Sequence, residues 1–309
     1  MWDLLISLVI MSSLTLLLAI VGVYLQRRKG HWARRVGIFA AVSLMGIYLA
    51  CLWNSPLLVA ILPFSSAVIL GNWLAPGGGF LAGVLLSKHS IHPLRRGFLA
   101  CLLLLLCGYS LISPLLGTAP RCANVEFERI LEFQTTEQTC SAACAAGLLR
   151  LHGIDATERE MAELCLTRRG THWLGVYRGL KLKTAGTEWD VVVERLTVPQ
   201  ILATSTTPGV LSLSLHGWAA SRSEDTELSS LAGHSVIQLG VSEAGHAAVF
   251  DPSPDFGFDV WTAAALRGVN SAIRLRLVSR HGRTISAPPT ASADPETLYQ
   301  WNTVYWRRR

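Results

Sequence analysis

The chain has 309 residues, a mean hydropathy of +0.38 and only 16% charged residues; soluble domains carry about a quarter, which excludes a wholly soluble protein. Up to Pro120 there are eight Lys or Arg and one Asp, a net of +7, whereas the remainder carries 19 basic and 20 acidic residues, a net of −1. The overall charge of +6 therefore belongs to the apolar part, and the near-neutral remainder excludes nucleic acid as the principal partner.

Residues 4–25 form an uncharged run of 22, long enough to cross about 30 Å of hydrocarbon at about 1.5 Å per residue. The start Met1-Trp2-Asp3 lacks a basic region, and Gln26-Arg27-Arg28-Lys29 stands where a signal peptide would have a small-residue cleavage site. The run is therefore expected as a retained helix. Residues 36–53 and 97–116 supply two more spans. Between them, residues 54–87 carry no charge over 34 positions but are interrupted by Pro63, Pro76 and Gly77-Gly78-Gly79. The expectation there is a span at 57–75 and a short interfacial or re-entrant piece at 80–86, backbone that needs protein or water around it at membrane depth.

Arg27, Arg28, Lys29, Arg34 and Arg35 lie between spans one and two, and Lys88, Arg95 and Arg96 between spans three and four. Positive loops stay cytoplasmic, so four spans put the amino terminus and everything after Leu116 outside. The expected location is a bacterial inner membrane, multi-pass, with the second half on the extracytoplasmic side. No charge lies inside a span, which favours an anchor over a transport path. The lipid bilayer is thus one expected partner.

The expected domains are a transmembrane region at 1–118, an α+β domain at 119–280 and a Pro/Ser-rich tail at 281–309 with an aromatic and basic end. Residues 126–133 have a short amphipathic character. Thr139 is a good N-cap for a helix over 139–152 that Gly153 stops. A second helix is expected at 158–166 and a third from Gly170-Thr171 to about Lys183, with Trp173, Val176, Tyr177 and Leu180 on one buried face. Strands follow at 189–195, 209–215, 235–241, 247–250 and 272–278. Three helices followed by an antiparallel sheet is an α+β layout.

Cys140 falls in the first turn of its helix, where unpaired N–H groups and the helix dipole stabilise a thiolate; taken alone, it could equally be a buried structural cysteine. Gln134, six residues upstream, could donate to an oxyanion beside the Cys140 N–H. The histidines of this half are His152, His172, His216, His234, His246 and His281. A hairpin turn of two or four residues around 242–245 would set Val236 opposite Asp251. His234 and Asp251 would then share a face as diagonal neighbours, with His246 on the other side. A thiol nucleophile, a His234 base and an Asp251 that orients it make up the arrangement of a thiol protease.

The run Gln134-Thr135-Thr136-Glu137-Gln138-Thr139-Cys140-Ser141 resembles the nucleophile segment of the bacteriocin-processing peptidases, which cut double-glycine leader peptides. Gly170-Thr171-His172-Trp173-Leu174-Gly175 resembles their second motif, and Gly233-His234-Ser235-Val236 and Val249-Phe250-Asp251-Pro252 resemble their histidine and aspartate motifs, in order. The resemblance covers about residues 131–278. It implies a papain-like fold with catalytic Cys140, His234, Asp251 and Gln134, acting on a peptide or protein substrate, with an exporter or leader-bearing peptide as a further partner. This chain has Thr139-Cys140-Ser141 where that family usually has Asp-Cys-Gly, and no ATP-binding cassette follows. Two other readings compete: a catalytically silent peptide-binding module, and a cell-wall peptidase or amidase of the Cys-His type.

No Cys-x-x-Cys pair or zinc-like Cys/His spacing occurs, so neither metal nor cofactor is expected. An outside location permits a disulfide, with Cys122–Cys165 the favoured pair and Cys144 left in the helix core. Cys144, one turn after Cys140, is the alternative nucleophile.

Overall fold

The computed structural model describes residues 2–28, 31–88, 92–123, 129–203, 207–215, 234–242, 244–266, 269–282 and 297–298. His216, the beginning of the 126–133 stretch and the aromatic-basic end of the tail lie outside the described residues. Two compact units are present, Met1–Leu116 and Gly117–Arg309.

The first unit comprises α1 (Trp2–Arg28), α2 (His31–Ile47) continued by a π-helical turn Tyr48–Leu52, α3 (Leu57–Ile61), α4 (Ala67–Leu70), α5 (Leu74–Leu86) and α6 (Pro93–Ile112). Four segments are long and apolar enough to cross a membrane: Trp2–Arg27, Arg35–Leu52, Ala67–Leu86 and Pro93–Leu115. The third differs from the sequence expectation of 57–75. Pro76 sits in the first turn of α5, where a missing N–H breaks no intrahelical bond. The glycines after it are a packing surface: a Cβ on Gly79 would overlap the Thr15 carbonyl, one on Gly83 the Ala19 carbonyl, and one on Gly78 the Cys107 sulfur. Gly22 of α1 answers from the other side, where a Cβ would overlap the Phe80 carbonyl. Small residues four apart let two backbones approach this closely in a bundle, and that contact offsets a helix-propensity cost of about 1 kcal/mol per glycine. The break between α4 and α5 is tied by the Tyr48 hydroxyl, which donates to the Gly71 carbonyl at 2.6 Å, and by Asn72 Nδ2, which donates to the Ser110 carbonyl at 2.8 Å.

The second unit is α+β. Helices α7 (Cys140–Leu151), α8 (Glu158–Leu164) and α9 (Trp173–Lys183) precede the strands β1 (Trp189–Leu196), β2 (Gly209–Leu215), β3 (His234–Val241), β4 (Ala247–Asp251), β5 (Gly257–Trp261) and β6 (Val269–Ser279). A short helix α10 (Val198–Ala203) joins β1 to β2; it and β5 are additions to the sequence reading. The sheet has the order β1-β6-β2-β3-β4-β5, and every pair given is antiparallel. The last strand thus lies between β1 and β2.

Every residue of α7 is buried, as its run of Ala, Gly and Leu allows. Gly147 faces Leu131 and Ile237, where a Cβ would come within 2.9 Å of each side chain, so α7 lies close against β3. Gly153, at φ +78°, ends it, the left-handed conformation that favours glycine at this position. Thr139 occupies the N-cap position without capping. Its hydroxyl donates to the Thr136 carbonyl at 2.8 Å instead, leaving the N–H groups of the first turn clear of any side-chain cap. Thr157 does cap α8, accepting from the Glu160 N–H at 3.1 Å.

Candidate active site

Cys140 is the first residue of α7 and is 8% exposed. Its sulfur has the imidazole of His234, the N–H of Ser235 and the hydroxyl of Ser141 as hydrogen-bonding neighbours. Burial pushes the thiol up, but His234, through its hydrogen bond and its positive charge, together with the Ser235 N–H and the Ser141 hydroxyl, outweighs burial and leaves it below its ordinary value.

The β3–β4 hairpin brings the histidine and the aspartate together, by a route the sequence did not show. Three residues separate Ser242 from His246. The Ser242 N–H donates to the His246 carbonyl at 2.8 Å, the Gly245 N–H donates to the Ser242 carbonyl at 2.9 Å, and Gly245 adopts φ +75°. The pairs nearest this turn are Val241 with Ala247 and Gly240 with Ala248. Carried along unchanged, that register would set His234 and Asp251 on opposite faces. A bulge at Leu239 shifts it, so that Gln238 pairs with Val249 and Ile237 with Phe250. Val236 then aligns with Asp251, and His234 lies on the same face as the carboxylate. The three-residue turn replaces the expected two or four, and the bulge restores the expected alignment.

His234 Nε2 is 2.8 Å from Asp251 Oδ2, which leaves Nδ1 as the ring nitrogen for the sulfur. Asp251 Oδ1 accepts from the Ser253 N–H at 2.8 Å, so both carboxylate oxygens are engaged. Burial drives the imidazolium down, but the hydrogen bonds and charges of Asp251 and Cys140 raise it to about 10. The cysteine and histidine are thus driven in opposite directions, toward a thiolate–imidazolium pair.

Gln134 is anchored by its backbone, whose N–H donates to the Pro252 carbonyl at 2.7 Å. The neighbouring Phe133 ring packs 5.6 Å from Phe250. Both contacts hold the Gln134 segment beside the Asp251 corner. Gln134 Oε1 is buried and has no hydrogen-bond partner among the described residues.

The remaining sequence candidates sit elsewhere. Cys144 is fully buried, its thiol donates to the Ser235 carbonyl at 3.3 Å, and burial raises it well above its ordinary value; it is not an activated thiol. His152 Nδ1 lies 2.8 Å from the Leu148 carbonyl, and its ring stands edge-on to Trp189. His172 caps α9 through Nδ1, and burial lowers it to about 4. His246 belongs to the hairpin turn, and His281 is exposed beyond β6. Cys122 and Cys165 are both free, which corrects the expected disulfide. The Cys122 thiol turns to the Pro120 carbonyl at 3.7 Å, whereas the Cys165 sulfur lies against Gly179 of α9. Among the described residues no three His, Cys, Asp or Glu gather as a metal site would require. The sequence reading missed Ser141 and Ser235, because a serine beside a cysteine or a histidine carries no spacing signal of its own.

No family model and no curated protein matches the chain. Solved structures similar to about half of the chain include two peptidase domains. One is the peptidase domain of Streptococcus ComA, a bi-functional ABC transporter involved in a quorum sensing pathway, at 15% identity over 48% of this chain and 98% of that chain, with a TM-score of 0.39. The other is the peptidase domain of Streptococcus mutans ComA, at 17% identity over 47% of this chain and 97% of that chain, with a TM-score of 0.32.

Proposed function

We propose that the protein is a membrane-anchored cysteine endopeptidase with a papain-like catalytic unit, Cys140 being the nucleophile, His234 the general acid and base, and Asp251 the residue that orients the imidazole. One observation carries this reading: a single imidazole is held by a buried carboxylate at 2.8 Å on one ring nitrogen while interacting with a thiol at a helix start on its other side. In the proposed reaction the thiolate attacks the substrate carbonyl carbon, forming a C–S bond. The oxyanion is received by the Cys140 backbone N–H and the Gln134 side-chain amide. Protonated His234 gives its proton to the leaving amine nitrogen as the C–N bond breaks. A water molecule then returns a proton to His234, attacks the thioester and releases the thiolate.

The proposed substrate class is a peptide or protein chain, the acyl donor that a thiolate with a Cys-His-Asp grouping cleaves. An exporter or leader-bearing peptide as partner is part of the proposal; the protein's inner-membrane location and extracytoplasmic side are supported by the four apolar helices and the flanking basic clusters. Substitution Cys140→Ala is expected to reduce peptide hydrolysis by at least on the order of 10³-fold with unchanged circular dichroism. Cleavage at the parent rate by that variant would refute the assignment.

A further inference from the structure

Ser235 follows His234 in β3 and is gripped by three residues of α7. Its N–H donates to the Cys140 sulfur, its Oγ lies 2.8 Å from Ser141 Oγ, and its carbonyl accepts from the Cys144 thiol at 3.3 Å. The geometry of the ladder explains why these groups are available. β4 ends at Asp251, which aligns with Val236, so Ser235 lies one position past the last strand partner on that side. Helix α7 takes the place of the missing strand. Ser141, Cys144 and Ser235 are all buried, so solvent does not compete for these bonds. Ser141 Oγ also comes within 4.0 Å of Cys140 Sγ, joining the hydroxyl pair to the nucleophile.

We propose that the Ser141–Ser235 hydroxyl pair is a positioning device that locks the first turn of α7 to β3 and so fixes the Cys140 sulfur against the His234 ring. The inference rests on reading Cys140 as the nucleophile. The residue after the sulfur is bonded to the residue after the imidazole, so a slip of the helix along the strand breaks this bond as it separates the two reacting groups. The hydroxyls act through their neighbours and touch no substrate.

A stability measurement alone does not distinguish a lock from ordinary packing. Removing one hydroxyl strands its buried partner, whereas removing both removes the unsatisfied group as well. The Ser141→Ala/Ser235→Ala double variant is therefore expected to recover most of the thermal stability that either single variant loses. It is not expected to recover reactivity.

The test is the rate of iodoacetamide alkylation at Cys140 as a function of pH, in full-length protein in detergent, with the modified residue located by fragment-ion mass spectrometry. The parent is expected to alkylate with a midpoint below that of an ordinary thiol. The single and double Ala variants are expected to shift that midpoint upward and to react about fivefold more slowly below it. Ser235→Thr, which keeps a hydroxyl, is expected to stay close to the parent. A folded double variant that alkylates with the parent's midpoint overturns the proposal, as does a Ser235→Thr variant indistinguishable from Ser235→Ala. A parent whose own midpoint is that of an ordinary thiol overturns the peptidase reading beneath it, and the two failures are told apart by that one curve.

Discussion

At the scale of residues, the chemistry of the site turns on how His234 divides its two nitrogens. Asp251 holds Nε2 at 2.8 Å; after burial, which lowers the ring, this hydrogen bond is the foremost influence and raises it, followed by the Cys140 hydrogen bond and the Asp251 charge. A group held protonated to about 10 loses its proton, and the ion pair with it, as pH rises through that value. The thiol, held below its ordinary value, sets the acid side, where protonation of the sulfur removes the nucleophile. The kcat/KM profile is therefore expected to be a bell whose acid limb lies below the usual thiol range and whose alkaline limb lies near 10. Asp251→Asn keeps an acceptor for Nε2 but removes the charge, so the alkaline limb should move to lower pH, read from initial rates across the range. An unmoved limb would mean that the carboxylate charge does not act on the ring. That Cys140 opens a helix and that His234 and Asp251 share a face of the sheet was legible in the sequence, because helix start and strand alternation constrain where those side chains lie. The paired serines were not, since a hydroxyl finds its partner 94 residues away only once helix and strand are packed.

At the scale of elements, the decisive feature is the extra residue in β3. Its effect is separable from its packing. Leu239→Ala empties buried volume, which costs about 2–5 kcal/mol, yet keeps the count of residues between Gly240 and His234. Insertion of one alanine between Gln238 and Leu239 adds to that count, sets Ile237 opposite Asp251 and turns His234 to the other face. Alkylation of Cys140 distinguishes the two: near-parental rates are expected for Leu239→Ala, and those of an ordinary thiol for the insertion. Parental reactivity in the insertion variant would show that the residue count in β3 does not set the face. Helices α7 to α9 and five of the strands could be read from period and punctuation. β5, at Gly257–Trp261, escaped because five residues between turn formers give too short an alternation. α10 escaped because Pro199 in its first turn reads locally as a breaker. In the membrane half the same error took a larger form. Pro76 and the glycine run look like interruptions in one dimension, but in the bundle they are the surface by which α5 approaches α1 and α6.

At the scale of the whole molecule, the division of charge is as informative as any motif. The apolar unit carries the excess of positive charge and the α+β unit is close to neutral, so the orientation expected from the basic loops puts the proposed peptidase outside the membrane. An alkaline phosphatase reporter fused after Leu116 should be active and one fused after Lys88 inactive; the reverse pattern would place the catalytic unit in the cytoplasm. The strand order has a consequence for the life of the chain. β6, the last strand, is the slat between β1 and β2, and β2 is the neighbour on which the His234 strand rests. A nascent polypeptide that has reached Asp251 already contains every proposed reacting group, yet its sheet stays open at the middle until residues as late as Ser279 have emerged. Under the proposed function, such an order of assembly would delay activity until the sheet has closed around its last strand.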